Sequence, residues 1–169
     1  MKLFRKQQKN DEMYTDLRQQ VFKLKPNSDM LEAMNNLRVY AAVVDMDMKK
    51  AIASLISVAD GTTSLYLSTG GGQIGYGNAD EDVRNATITF LRNSEQFIDK
   101  MEMVSVFPLP KHNSNEHIVY LVTEKGVFRQ KLNINNINHL PNELRFFFTL
   151  YQNVLTKMRE FDERSNKRQ

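Results

Sequence analysis

The chain has 169 residues, 41% hydrophobic and 25% charged, with no cysteine and a formal net charge of +3. That length and mixture predict about one globular domain and exclude a fibrous or wholly disordered chain. The absence of cysteine excludes a disulfide framework, a thiol nucleophile, a Cys-ligated zinc site and an iron–sulfur cluster.

The first predicted element is a helix over Asn10–Leu24, where Met13, Leu17, Val21 and Leu24 recur at three- and four-residue spacing. Pro26 ends it, because the residue before proline avoids the helical region. A short helix is expected at Ser28–Asn35, with Ser28 as N-cap and Met30, Leu31 and Met34 as its apolar face. Val39–Val44 is a β-branched apolar run that continues as alternating Asp45-Met46-Asp47-Met48, which predicts a strand. Lys49 and Lys50 break it, Ile52–Ala59 is a second strand, and Asp60-Gly61 is a hairpin signal leading to a third at Ser64–Ser68. These three make an antiparallel meander.

Beyond a glycine-rich segment, one long helix is expected from Val83 to Met101, with Asn78 as its cap and Glu81 completing a reciprocal bond. Asp80, Glu81 and Asp82 suit the positive end of that helix. His117–Thr123 and Val127–Leu132 form a hairpin around Glu124-Lys125-Gly126. Pro141 opens a last helix over Asn142–Glu163, with Leu144, Phe147, Phe148, Tyr151, Val154, Leu155 and Met158 on one face. The expected fold class is α+β: a five-stranded antiparallel sheet with long helices packed on one face and the N-terminal helix at an edge or on the other face. The expected domain organisation is an N-terminal helical extension over 1–36, one α+β domain over 37–163 and a basic disordered tail over 164–169. This element order resembles the roadblock and longin domains of profilin-like architecture, a likeness of topology that constrains function weakly.

Charge is uneven. Residues 1–25 carry seven Lys/Arg against three Asp/Glu, residues 26–110 six against eleven, and residues 111–169 ten against six. Basic ends around an acidic middle argue against a uniform basic face for nucleic acid and suit solvated termini. A nucleic-acid role through those ends is the weakest of the alternatives. The opening MKLFRKQQKNDE has no apolar stretch after its basic residues, so no secretory signal is expected. No run is long and apolar enough to span a membrane, and the cytoplasm is the expected compartment.

Five of the seven glycines fall between Gly70 and Gly77. Lying between a strand and a helix, Ser68, Thr69, Gly70, Gly71, Gly72 and Gly75 are candidate ligand-binding residues, since backbone N–H groups and a helix N-terminus can cradle an anion. Gly70, Gly72 and Gly75 match G-x-G-x-x-G in form, without the βαβ unit that motif needs, and no Gly-Lys-Ser/Thr follows. The alternative reading is a tightly turned connection between strand and helix. Asp60–Tyr66, Ser68–Gly72 and Ile74-Gly75 together resemble a segment of a family of small bacterial proteins, a resemblance that implies no activity or catalytic residue.

Other polar groups suggest little chemistry. His112 and His117 lack helical zinc spacing and read as ordinary loop histidines, as does His139. Asp45 and Asp47 share a strand face as paired acids, metal ligands or, more simply, the wet face of a strand end. Ser68 and Thr69 are candidate nucleophiles without an assigned base. No catalytic constellation, metal site or cofactor is expected. Phe146-Phe147-Phe148 followed by Leu150 is too wide for one stripe. Phe146 and Leu150 are therefore candidates for a partner interface, to be covered by the N-terminal helix or by another chain. The reading that follows is a non-catalytic interaction or regulatory module, a homodimer or a subunit with a protein partner. The alternative is a small-ligand or nucleotide-binding domain built on residues 68–77.

Overall fold

The computed structural model of the chain describes residues 14–34 and 37–167. In chain order they form α1 (residues 14–22), α2 (Ser28–Met34), β1 (Val39–Asp47), β2 (Ile52–Val58), β3 (Thr63–Leu67) and β4 (Gly72–Ile74). Then come α3 (Tyr76–Ala79), α4 (Glu81–Ser94), a 3-10 segment (Glu95–Lys100), β5 (Glu102–Val104), β6 (Glu116–Thr123) and β7 (Gly126–Asn133). A second 3-10 segment (Ile134–His139) leads to α5 (Asn142–Asn166). The class is α+β with an antiparallel sheet, as expected.

The sheet has seven strands, not five, in the order β4-β3-β2-β1-β6-β7-β5. All five expected strands are present. The additions are the two short edges, each three residues long, which is too short to show a period of two.

β1 sits at the centre because all nine of its residues are buried. Both faces of the sheet are therefore covered. On one face lies α1, whose Tyr14 hydroxyl is 2.7 Å from that of Ser54 and whose Arg18 bonds Asp45. Register places Asp45 directly opposite Ser54, so both point to that face. On the other face lie α4 and α5. The Thr87 hydroxyl of α4 is 2.6 Å from that of Thr63, and the Tyr151 hydroxyl of α5 is 2.8 Å from His117 Nδ1. The two long helices meet through Phe90, Phe147 and Tyr151, and Phe97 of the 3-10 segment packs on Phe147.

Several local expectations are corrected. The buried stripe of α1 is Tyr14, Arg18 and Val21, with Leu17 only half-buried, while Asn10–Met13 lie outside the described residues. α2 is capped by Asn27, whose Oδ1 accepts from the Met30 N–H at 2.8 Å, rather than by Ser28. α4 is capped by Asp80, whose side chain accepts from the Val83 N–H, because Asn78 lies within the single turn of α3. α4 does not run to Met101. Ser94 donates to the Phe90 carbonyl at 2.7 Å, and the chain tightens into a 3-10 segment from Glu95. α5 continues past Glu163 to Asn166, and Arg164 pairs with Asp80 at 2.5 Å and Asp82 at 3.7 Å.

Candidate functional site

The glycine-rich segment is a β-hairpin. At the turn, the Leu67 N–H donates to the Gly71 carbonyl at 3.1 Å and the Gly70 N–H to the Leu67 carbonyl at 2.9 Å. Ser68 is consumed by β2: its N–H donates to the Ile52 carbonyl at 2.8 Å, and its Oγ accepts from the Ile52 N–H at 2.9 Å. Gly70, Gly71, Gly72 and Gly75 all have φ between 82° and 135°, the region glycine enters freely. At Gly72 a side chain is also excluded by space, since a Cβ would stand 2.3 Å from the Leu65 carbonyl oxygen.

The candidate cradle does not assemble as one unit. Gly70–Gly72 flank Leu67 at one end of β3, whereas Gly75 donates to the Thr63 carbonyl at the other end, 3.1 Å away. Gly75 leads into the single turn of α3 and α4 begins only at Glu81, so the glycine turn and the N-terminus of α4 are separated by β4 and α3. That N-terminus is already met by the Asp80 carboxylate, with Glu81 and Asp82 in the first turn. The closest packing falls instead on Gly77, where a Cβ would be 1.9 Å from the Gly61 carbonyl oxygen. That contact presses α3 against the turn joining β2 and β3.

The two aspartates are buried, contrary to the expectation of a wet strand end. Arg18 Nε lies 3.1 and 3.0 Å from the two oxygens of Asp45, and its Nη2 donates to Oδ2 at 2.5 Å. Arg18 Nη1 donates to the Phe107 carbonyl at 2.9 Å, and Ser54 donates to Asp45. The guanidinium also lies over the Phe22 and Tyr120 rings at 5.0 and 5.5 Å. Burial pushes the Asp45 carboxyl up, and Arg18 and Ser54 oppose that push.

At Asp47, burial works against the charge, but backbone N–H groups of Asn115, Lys49, Asn113 and Ser114 outweigh it and hold the carboxyl below its ordinary range. These bonds fix a loop in which Asn113 and Asn115 take φ of 58° and 51°. Each aspartate thus serves a structural partner. Among the described residues no group of three or more His, Asp or Glu is placed to hold a metal ion.

His117 is not a loop histidine. It is buried on β6, bonded through Nδ1 to Tyr151 and stacked on Phe148 at 6.1 Å between ring centres. Burial lowers its pKa to about 4, with Asp47 pulling weakly the other way. The unfolded chain takes up this proton near pH 6.5, so between pH 6.5 and about 4 it binds more protons than the folded chain. Stability therefore falls as pH drops through that window, by up to about 3 kcal/mol at its lower end. Urea midpoints measured across it show this slope in the wild type, and His117→Asn flattens it. An unchanged slope in the variant removes His117 from the account. His112 and His139 are exposed.

Of the two interface candidates, Phe146 is 44% exposed and Leu150 is buried at 8%. α1 lies across the sheet from α5, so it is not what covers them. The larger concentration of exposed apolar side chains lies elsewhere, at Met103, Val106 and Leu109. It occupies β5 and the segment leaving it, beside a strand edge that no other strand covers among the described residues. No helix among the described residues is long and apolar enough to cross a membrane.

The chain matches no family model, no curated protein and no solved structure. The most tightly bonded cluster, Tyr14–Arg18–Asp45–Ser54, was not singled out from sequence as a unit. Its signal was an arginine one turn after Tyr14 and one turn before Phe22, together with an aspartate inside an apolar strand. Two opposite charges at apolar positions predict a buried pair.

Proposed function

We propose that the chain is a non-catalytic interaction module of roadblock/longin-like architecture that pairs with a second copy of itself through β5. The observation that carries this reading is the open edge of β5 at Met103, with Val106 exposed just beyond it. Natural sheets blunt an exposed edge with charge, proline or a covering element, because its unpaired backbone groups template another strand. Here the edge carries Met103 at 59% exposure and leads to Val106 at 68%. Its charged residue, Glu102, is already tied to Arg129 at 2.6 Å.

A two-fold axis through Met103 places two β5 strands antiparallel, with each Met103 beside its copy and Glu102 opposite Val104. No like charges face each other in that register. The internal use of Ser68, Asp45, Asp47 and His117 also supports a structural rather than a catalytic role for these groups. The roadblock/longin likeness rests on the five longer strands, which keep the expected meander, intervening helix and hairpin.

Sedimentation equilibrium tests the reading. The wild type sediments at twice 19.7 kDa at high concentration and approaches 19.7 kDa on dilution. Met103→Lys, which places two ammonium groups face to face, stays at 19.7 kDa throughout. A wild type that remains monomeric to about 100 µM, well above the range of a specific dimer, ends this proposal.

A further inference from the structure

We propose that the cleft between α2, the start of β1 and the β6–β7 turn binds an uncharged apolar small molecule that carries a carbonyl-type acceptor oxygen. The proposal is independent of the β5 pairing. The cleft has a volume of about 750 Å³, within the range of small-molecule sites. Its apolar wall is built from Met34, Leu37, Tyr40, Ile98, Met101 and Phe128. Two methionines and two aromatic rings give a surface that adapts to an apolar body.

One polar group stands out on that wall. Tyr40 is only 7% exposed and lines the cleft, and its hydroxyl has no hydrogen-bond partner among the described residues. The hydroxyl opens onto the cleft and donates to no described protein group there, so a ligand oxygen that displaces water gains this donor. The neighbouring Thr123 hydroxyl is already occupied, donating to the Gly126 carbonyl at 2.9 Å and accepting from the Lys125 N–H at 3.2 Å. Burial and the nearby Glu124 carboxylate push the Tyr40 phenol above its ordinary value, so it keeps its proton at neutral pH.

The rim selects against ions. Lys25, Arg38 and Lys125 stand there with Asp99 and Glu124. Arg38 is paired with Glu95 outside the cleft at 3.5 Å, which leaves two cations against two anions and no net field for a charged ligand. The negative charge of Glu124 beside Tyr40 further opposes an anionic head at the one free donor.

The test uses the full chain and three eight-carbon probes: 2-octanone, octanoate and octylammonium, followed by calorimetry and by ligand NMR. The expected result is one-to-one binding of 2-octanone with a dissociation constant below about 1 mM. Both ions bind at least about five-fold more weakly. Tyr40→Phe keeps the ring and the fold but weakens 2-octanone about five-fold, the effect of one lost hydrogen bond. Unchanged thermal melting of that variant separates loss of the donor from loss of structure. The proposal is overturned by any of three results: no saturation by 2-octanone, tighter binding of either ion, or an unaltered affinity in a folded Tyr40→Phe.

Discussion

Arg18→Met lowers the stability of the chain by about 3–5 kcal/mol, because it leaves the Asp45 carboxylate buried at the centre of the sheet without its counter-charge. Asp45 has no exposed surface, and the arginine supplies both its charge partner and most of its hydrogen bonds. The loss depends on pH with a defined sign. Without Arg18 the folded carboxyl is raised further above its unfolded value, so the folded chain binds the extra proton. The variant therefore weakens as pH rises above about 4, the ordinary carboxyl value. The double variant Arg18→Met/Asp45→Leu recovers most of the loss, since an apolar pair of similar volume carries no desolvation cost. Urea unfolding of the three chains at pH 5 and pH 8 measures both effects. A single variant within 1 kcal/mol of wild type, about the effect of an ordinary surface change, contradicts the account.

Gly77→Ala is the second large effect, and intrinsic propensity points the wrong way. Alanine is favoured over glycine inside a helix by about 1 kcal/mol. At Gly77, however, the added methyl would meet the Gly61 carbonyl oxygen at 1.9 Å, a backbone atom with no rotamer to change. Either α3 or the β2–β3 turn must move, and Gly61 is itself confined because a Cβ there would lie 2.6 Å from Arg84 Cγ. The expected cost is about 3 kcal/mol, at the upper end for overpacking. For a chain of this size that lowers Tm by roughly 6–12 °C. Gly71→Ala is the control. It has open space around the new methyl and a φ of 92°, so it carries conformational strain alone, about 1 kcal/mol. A Gly77→Ala chain that melts at or above wild type shows that the contact yields freely.

Both predictions rest on groups that the sequence displays but does not connect. The strands of the meander were legible because apolar runs and Asp60-Gly61 are local signals. So was the face of α5, where Phe147, Tyr151, Val154 and Met158 keep helical spacing and are buried. The edges were not, since three residues of β4 or β5 carry no period. The burial of Asp45, Asp47 and His117 was not legible either. Each is polar by type and becomes internal only because α1, the 113–115 loop or α5 brings a partner from far along the chain. The glycine cluster was visible as an anomaly, and its turn reading follows from backbone geometry. Which glycine is sterically indispensable depended on the Gly61–Gly77 approach, a tertiary fact.

The pairing of β1 with β6 sets an order of events during synthesis. Register joins Val39 to Thr123 and Met46 to His117. The meander of β1, β2 and β3 therefore leaves the ribosome long before its central strand has a second neighbour. Through that interval Val39–Asp47, wholly buried in the finished protein, is an open apolar edge. Closing the sheet waits for a long loop to fold back, which gives this junction a high loop-closure cost. It also makes Val39–Asp47 the segment most in need of shielding while the chain grows.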